Sequence, residues 1–110
     1  MHVDDMADAC IHIMNNVDFA DLSKGQKEIK NTHINIGTGK DVTIRELAEL
    51  IKDYVGFDGE LAFDSTKPDG TPRKLLSVDK LHQLGWSHNI ELDDGVKSTI
   101  DWYKKQQNQV

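Results

Sequence analysis

The sequence lacks the features that would place it in several large classes of protein. No apolar run approaches the roughly 20 residues needed to cross a bilayer. Its first residues, His2 and the pair Asp4-Asp5 among them, do not form the basic and then apolar stretch of a secretory signal. Cys10 is the only cysteine, so an internal disulfide is excluded and a reducing, cytoplasmic setting is expected. There is no basic surplus either. Thirteen Lys and Arg stand against 19 Asp and Glu, a net charge of −6, whereas a nucleic-acid surface needs a cationic footprint. Neither nucleic acid nor membrane is an expected partner.

Recognisable catalytic signatures are missing as well. His2, His12, His33, His82 and His88 share no ligand spacing, and a lone cysteine cannot complete a zinc set, so no metal is expected. Cys10 falls on the apolar face of an expected helix and reads as a small core residue. The serines lack a nucleophile elbow. Gly37-Thr38-Gly39 stands between an expected strand and helix, where a dinucleotide fingerprint would lie. The third glycine of that fingerprint is replaced by Val42, and no acid ends a following strand at the usual distance. These glycines read as a strand-to-helix turn, and no catalytic or cofactor-binding residue is assigned.

What is present is a chain of 110 residues, 37% hydrophobic and 29% charged, the size of one small domain or one lobe. No repeat or linker divides it. Asp4-Asp5 offers an N-cap to a helix carrying Met6, Ala9, Cys10, Ile13 and Val17 at helical spacing. His33 to Ile36 reads as a strand. Thr43-Ile44-Arg45-Glu46 is a capping box before a stripe of Ile44, Leu47, Ala48, Ile51 and Val55, stopped by Gly56. Glu60 to Phe63 reads as a second strand, which makes a parallel βαβ unit of about thirty residues. Ser77 is placed to cap a short helix from Val78 to Leu84, and Asp93 a last helix with Val96, Ile100 and Tyr103. The expected class is α/β.

Residues 67 to 80 hold Lys67, Arg73, Lys74 and Lys80 against Asp69 and Asp79, a local balance of +2 in an acidic chain. Pro68 and Pro72 bracket a Pro-Asp-Gly turn and stiffen this loop. Arg73 offers a planar fork and Lys74 a point charge, both suited to phosphate. Asp69 can accept from sugar hydroxyls or base N–H groups. On composition alone, an anion site and a solvated turn both remain open.

Three stretches then carry a resemblance. His2-Val3-Asp4-Asp5-Met6-Ala7, His33 to Gly39 and Thr43 to Ala48 are similar to the C-terminal half of extended short-chain dehydrogenases/reductases acting on sugar nucleotides. Phe63 to Leu76, with the string Lys67-Pro68-Asp69-Gly70-Thr71-Pro72-Arg73-Lys74, and then Leu81 to Trp86, resemble the GDP-L-fucose synthases in particular. Ser77 departs from that pattern, where Asp is more usual.

The resemblance implies that residues 1–110 are a small C-terminal substrate-binding lobe, with the N-terminal NADP-binding Rossmann domain lying outside the chain. It implies a parent enzyme that epimerises GDP-4-keto-6-deoxy-D-mannose and reduces it with NADPH, and that is a homodimer. NADP(H) would serve the parent and not be held by this chain. The family's Tyr-x-x-x-Lys pair is absent, since Tyr54 is followed four residues on by Asp58 and Tyr103 by Gln107. By resemblance Asp69, Lys74 and Arg73 are substrate-binding. Two other readings stand beside it. One is a free-standing nucleotide-sugar or anion-binding module, or the same lobe of another sugar-nucleotide epimerase. The other is a protein-interaction domain that uses the apolar face of the first helix.

Overall fold

The computed structural model describes residues 1–107. Its helices are α1 (Val3–Asn16), α2 (Phe19–Ser23), α3 (Ile44–Val55), α4 (Asp79–Gln83) and α5 (Leu92–Gln107). The chain divides into two compact units. One joins Met1–Gly39 to Leu76–Glu91, and the other joins Lys40–Leu75 to the chain from Leu92 onward.

The first unit holds the buried core. Ala9 and Leu81 are fully buried and Trp86 nearly so, with Ile13, Ile34 and Ile36 packed against them. Around this cluster the contacts are largely polar, and they run along one face of α1. The Asp5 carboxylate, 3% exposed, accepts from the amides of Asn89 (3.2 Å to each oxygen) and Ile90 (2.9 Å). Asp8 accepts from the Trp86 indole N–H at 2.8 Å. His12 Nε2 lies 2.8 Å from the Leu84 carbonyl, which can only accept, so this nitrogen carries the proton. Residues 5, 8 and 12 lie on one side of a helix, and they bind 89–90, 86 and 84 in reverse chain order. The three contacts fasten the segment after α4 along α1 from Asp5 to His12. Lys80 adds a clamp from the other direction, donating to the carbonyls of Asn31 and, at 2.8 Å, His33.

Caps differ from expectation in instructive ways. The N-cap of α1 is His2, whose Nδ1 accepts from the Asp4 amide at 3.2 Å, so Asp4 and Asp5 fall inside the first turn. Ser77 does not cap α4. The helix starts at Asp79 after Val78, and the Ser77 hydroxyl donates instead to the Asp79 carboxylate. Asp93 lies within α5, which begins at Leu92, and its carboxylate accepts from the Tyr54 hydroxyl at 2.7 Å. That bond raises the Tyr54 pKa above the usual 10.0 and helps tie α3 to α5 in the second unit. The expected Thr43–Glu46 capping box is present in full, and Gly56 closes α3 in the left-handed conformation, φ 69°.

No strand is found among the described residues, so the parallel βαβ unit is not observed. Residues 33–36 and 60–63 have no regular structure. The physical reason is that a strand is defined by its ladder: an extended segment without a hydrogen-bonded neighbour gains nothing from its β-propensity.

The motif His2-Val3-Asp4-Asp5 therefore contains two carboxylates with different work. Replacing Asp5 by Ala leaves two amides without their acceptor and should cost about 2–4 kcal/mol. Asp4→Ala removes an exposed side chain and should stay within about 0.5 kcal/mol. Chemical denaturation of both variants checks the contrast.

Candidate functional site

The second unit carries a cavity of about 600 Å³ at the N-terminal end of α3, walled by Asp41, Val42, Thr43, Ile44 and Glu46 on one side and Thr71, Pro72, Arg73 and Lys74 on the other. A space of this size suits a small organic ligand. Each wall follows from local sequence. Thr43 turns the chain into the helix, because its hydroxyl accepts from the Glu46 amide (3.1 Å) and Glu46 returns a bond to the Thr43 amide (2.7 Å). Pro72 fixes its own φ and disfavours the helical region for Thr71, which restrains the stretch leading to Arg73 and Lys74.

Two acids and two bases meet here, so net charge does not decide what the cavity prefers. Engagement does. The Glu46 carboxylate is taken up by the cap, and the Thr43 amide followed by the Thr43 hydroxyl lowers its pKa. The Asp41 carboxylate is paired with Arg73, Nε to Oδ2 at 2.7 Å and Nη2 to Oδ1 at 3.2 Å. The Arg73 hydrogen bond holds Asp41 below the usual 3.8 and raises Arg73 in turn. Lys74 has no ion pair among the described residues. An incoming anion thus meets one unengaged ammonium and the remaining edge of one guanidinium.

Of the residues expected from sequence, Arg73 and Lys74 share this wall, and Asp69 does not line the cavity; it is exposed in the irregular segment before it. Lys80 leaves the cationic group altogether, spent on backbone carbonyls in the first unit. Asp41 was not singled out in the sequence. Its partner is 32 residues away and no local pattern signals the pair.

The Gly37–Gly39 turn is packed against the chain after Leu75. A Cβ at Gly39 would come within 2.9 Å of the Val78 side chain, and one at Gly37 would meet Val78 and Leu76 at 3.6 and 3.7 Å. Among the described residues no group of three or more His, Cys, Asp or Glu could hold a metal, and no helix is long and apolar enough to cross a membrane.

The Asp41–Arg73 pair makes a checkable claim about pH. Since the folded-state value of Asp41 lies below 3.8, the pair is fully present above that pH and is lost as pH falls through the lower value. A carboxyl-carbon NMR titration should give Asp41 a midpoint below 3.8, returning toward 3.8 in Arg73→Ala.

No protein-family profile matches the chain. It is 52% identical over 108 residues to the GDP-L-fucose synthase of Escherichia coli K12, covering 98% of this chain and 33% of that protein. It is 51% identical over 105 residues to GDP-L-fucose synthase 1 of Arabidopsis thaliana, 96% of this chain and 29% of the relative. Among solved structures it resembles a GDP-6-OMe-4-keto-L-xylo-heptose reductase from C. jejuni (TM-score 0.90, 53% identity, 96% of this chain and 30% of that one). It also resembles a GDP-D-glycero-L-gluco-heptose synthase from Campylobacter jejuni, solved in the presence of NADPH (TM-score 0.83, 50% identity, 94% and 29%). The chain spans about a third of the length of the curated relatives it matches. Over nearly all of its own residues it is similar to a C-terminal portion of the GDP-L-fucose synthases.

Proposed function

We propose that this chain is the substrate-binding part of a GDP-L-fucose synthase, an NADP-dependent enzyme that epimerises GDP-4-keto-6-deoxy-D-mannose and reduces it to GDP-L-fucose. The observation that carries the reading is identity of about one half sustained across 96–98% of the chain. The cavity supports it with chemistry that suits the substrate. Lys74 and the outer edge of Arg73 take the GDP diphosphate, and Asp69, outside the cavity wall, is read as accepting from sugar hydroxyls or base N–H groups. Hydride chemistry belongs to a Rossmann lobe outside these residues.

Exposed apolar surface supports the same division. The outward side of α1 carries Val3 at 71%, Met6 at 42% and Met14 at 83% exposure. In the second unit Ile44, Phe57 and Phe63 are at least half exposed. Surface of this kind is a face for packing, and the occupant in this reading is the nucleotide-binding lobe. Segments 33–36 and 60–63 would join a sheet there, completing the βαβ unit. The parent is read as a cytoplasmic homodimer.

A second reading has its own support, because two of the similar structures act on GDP-heptoses at 53% and 50% identity. Arg73 and Lys74 address the diphosphate common to both substrates, so they do not choose the sugar. Assaying the complete enzyme with NADPH against GDP-4-keto-6-deoxymannose and a GDP-4-keto-heptose decides between them. Turnover of the deoxyhexose alone is the expected result, and turnover of the heptose alone would replace the first reading by the second.

Lys74→Ala in that enzyme should weaken GDP-sugar binding by about 1.5–3 kcal/mol, the scale of a charge-assisted hydrogen bond, while NADPH binding stays unchanged. Calorimetric titration with each ligand measures both. Undiminished GDP-sugar affinity would remove Lys74 from the site.

A further inference from the structure

We propose that Asp41 is a positioning residue of the anion site, holding the Arg73 guanidinium side-on so that its other edge meets the diphosphate. The inference rests on the reading of the cavity as a GDP-sugar site and adds a residue to it. A guanidinium has five N–H donors in a fixed plane. The Asp41 pairing uses Nε–H and one N–H of Nη2. Both N–H groups of Nη1 and the second of Nη2 are outside that pairing, and one N–H from each nitrogen forms the end-on fork that a phosphate oxygen pair fits. Side-on carboxylate and end-on phosphate can therefore be held at once, and the ligand need not displace Asp41.

Stability does not explain the pair. Arg73 is 69% exposed and Asp41 42% exposed, and ion pairs in that setting contribute little. Placement explains it better. Asp41 lies two residues before the Thr43 cap, so it is attached to the rigid start of α3. Arg73 follows Pro72, which restrains the approach of its own backbone. A long, exposed arginine would otherwise have to be ordered at the moment of binding, and a carboxylate fixed beside it removes much of that cost. With Asp41 held below its usual pKa and Arg73 above, both stay charged throughout the neutral range.

The test is GDP affinity, by calorimetric titration of the complete enzyme carrying this chain, with the thermal midpoint and NADPH affinity followed in parallel. Asp41→Asn keeps the shape and removes the charge, and it should weaken GDP about three- to tenfold, the scale of one side chain left unordered. Asp41→Glu should restore part of the loss. In an Arg73→Ala background, Asp41→Asn should add nothing, which separates positioning from a general loss of structure. The proposal is overturned if Asp41→Asn tightens GDP binding, since the carboxylate would then be a competitor. It also falls if Asp41→Asn has no effect, or the same effect without Arg73. If Lys74→Ala weakens GDP and Arg73→Ala does not, this proposal fails alone. If neither variant changes GDP affinity, the cavity itself has been misread.

Discussion

The polar ladder along α1 is the constraint on which the first unit depends. Asp5, Asp8 and His12 each bind a group in the stretch 84–90, and between them the small apolar cluster of Ala9, Leu81 and Trp86 is closed off. Buried apolar contact this limited would hold a chain weakly by itself, because ordering costs about 1–2 kcal/mol per residue. Specific bonds to a buried carboxylate and an indole N–H fix one register for the loop. Sliding it along α1 would leave the Asp5 carboxylate and two amides unpaired, so alternative packings are penalised.

The ladder also redirects α1. An apolar stripe normally faces its own core, yet here Ala9 and Ile13 turn inward with three polar neighbours, while Val3, Met6 and Met14 of the apolar side face out. The helix thus presents one face to the unit it belongs to and another to whatever lies beyond it. The second unit shows the same tendency. Its helix α3 has no fully buried residue, and Ile44, Ile51 and Val55 remain exposed although they follow ideal helical spacing. Amphipathic pattern guarantees that an apolar face exists, not that the described residues cover it.

The cavity beside α3 is built by a different logic. Its acids are occupied by bonds within the chain, one by the helix cap and one by Arg73, and the lysine is not. In the proposed reading, a preference for an anion comes from this unequal engagement instead of from any excess of positive charge. The cationic group visible between residues 67 and 80 is accordingly smaller than its composition suggests, since Lys80 serves the backbone of residues 31 and 33.

Sequence by itself determined the local features whose causes lie within a few residues: the Thr43–Glu46 box, the Gly56 stop, the broken loop between Pro68 and Pro72, and the adjacency of Arg73 and Lys74. The Lys-Pro-Asp-Gly-Thr-Pro-Arg-Lys string was also enough to point to a sugar-nucleotide family. Only the tertiary structure decided which carboxylate of His2-Val3-Asp4-Asp5 is buried, that the Gly37–Gly39 turn is filled by Leu76 and Val78, and that Asp41 meets Arg73. Those outcomes join residues 32 to 85 positions apart, and no periodicity or propensity carries information over such separations. The two expected strands are not observed among the described residues for a related reason. Extended backbone becomes a strand only when another segment supplies the opposite half of its hydrogen bonds.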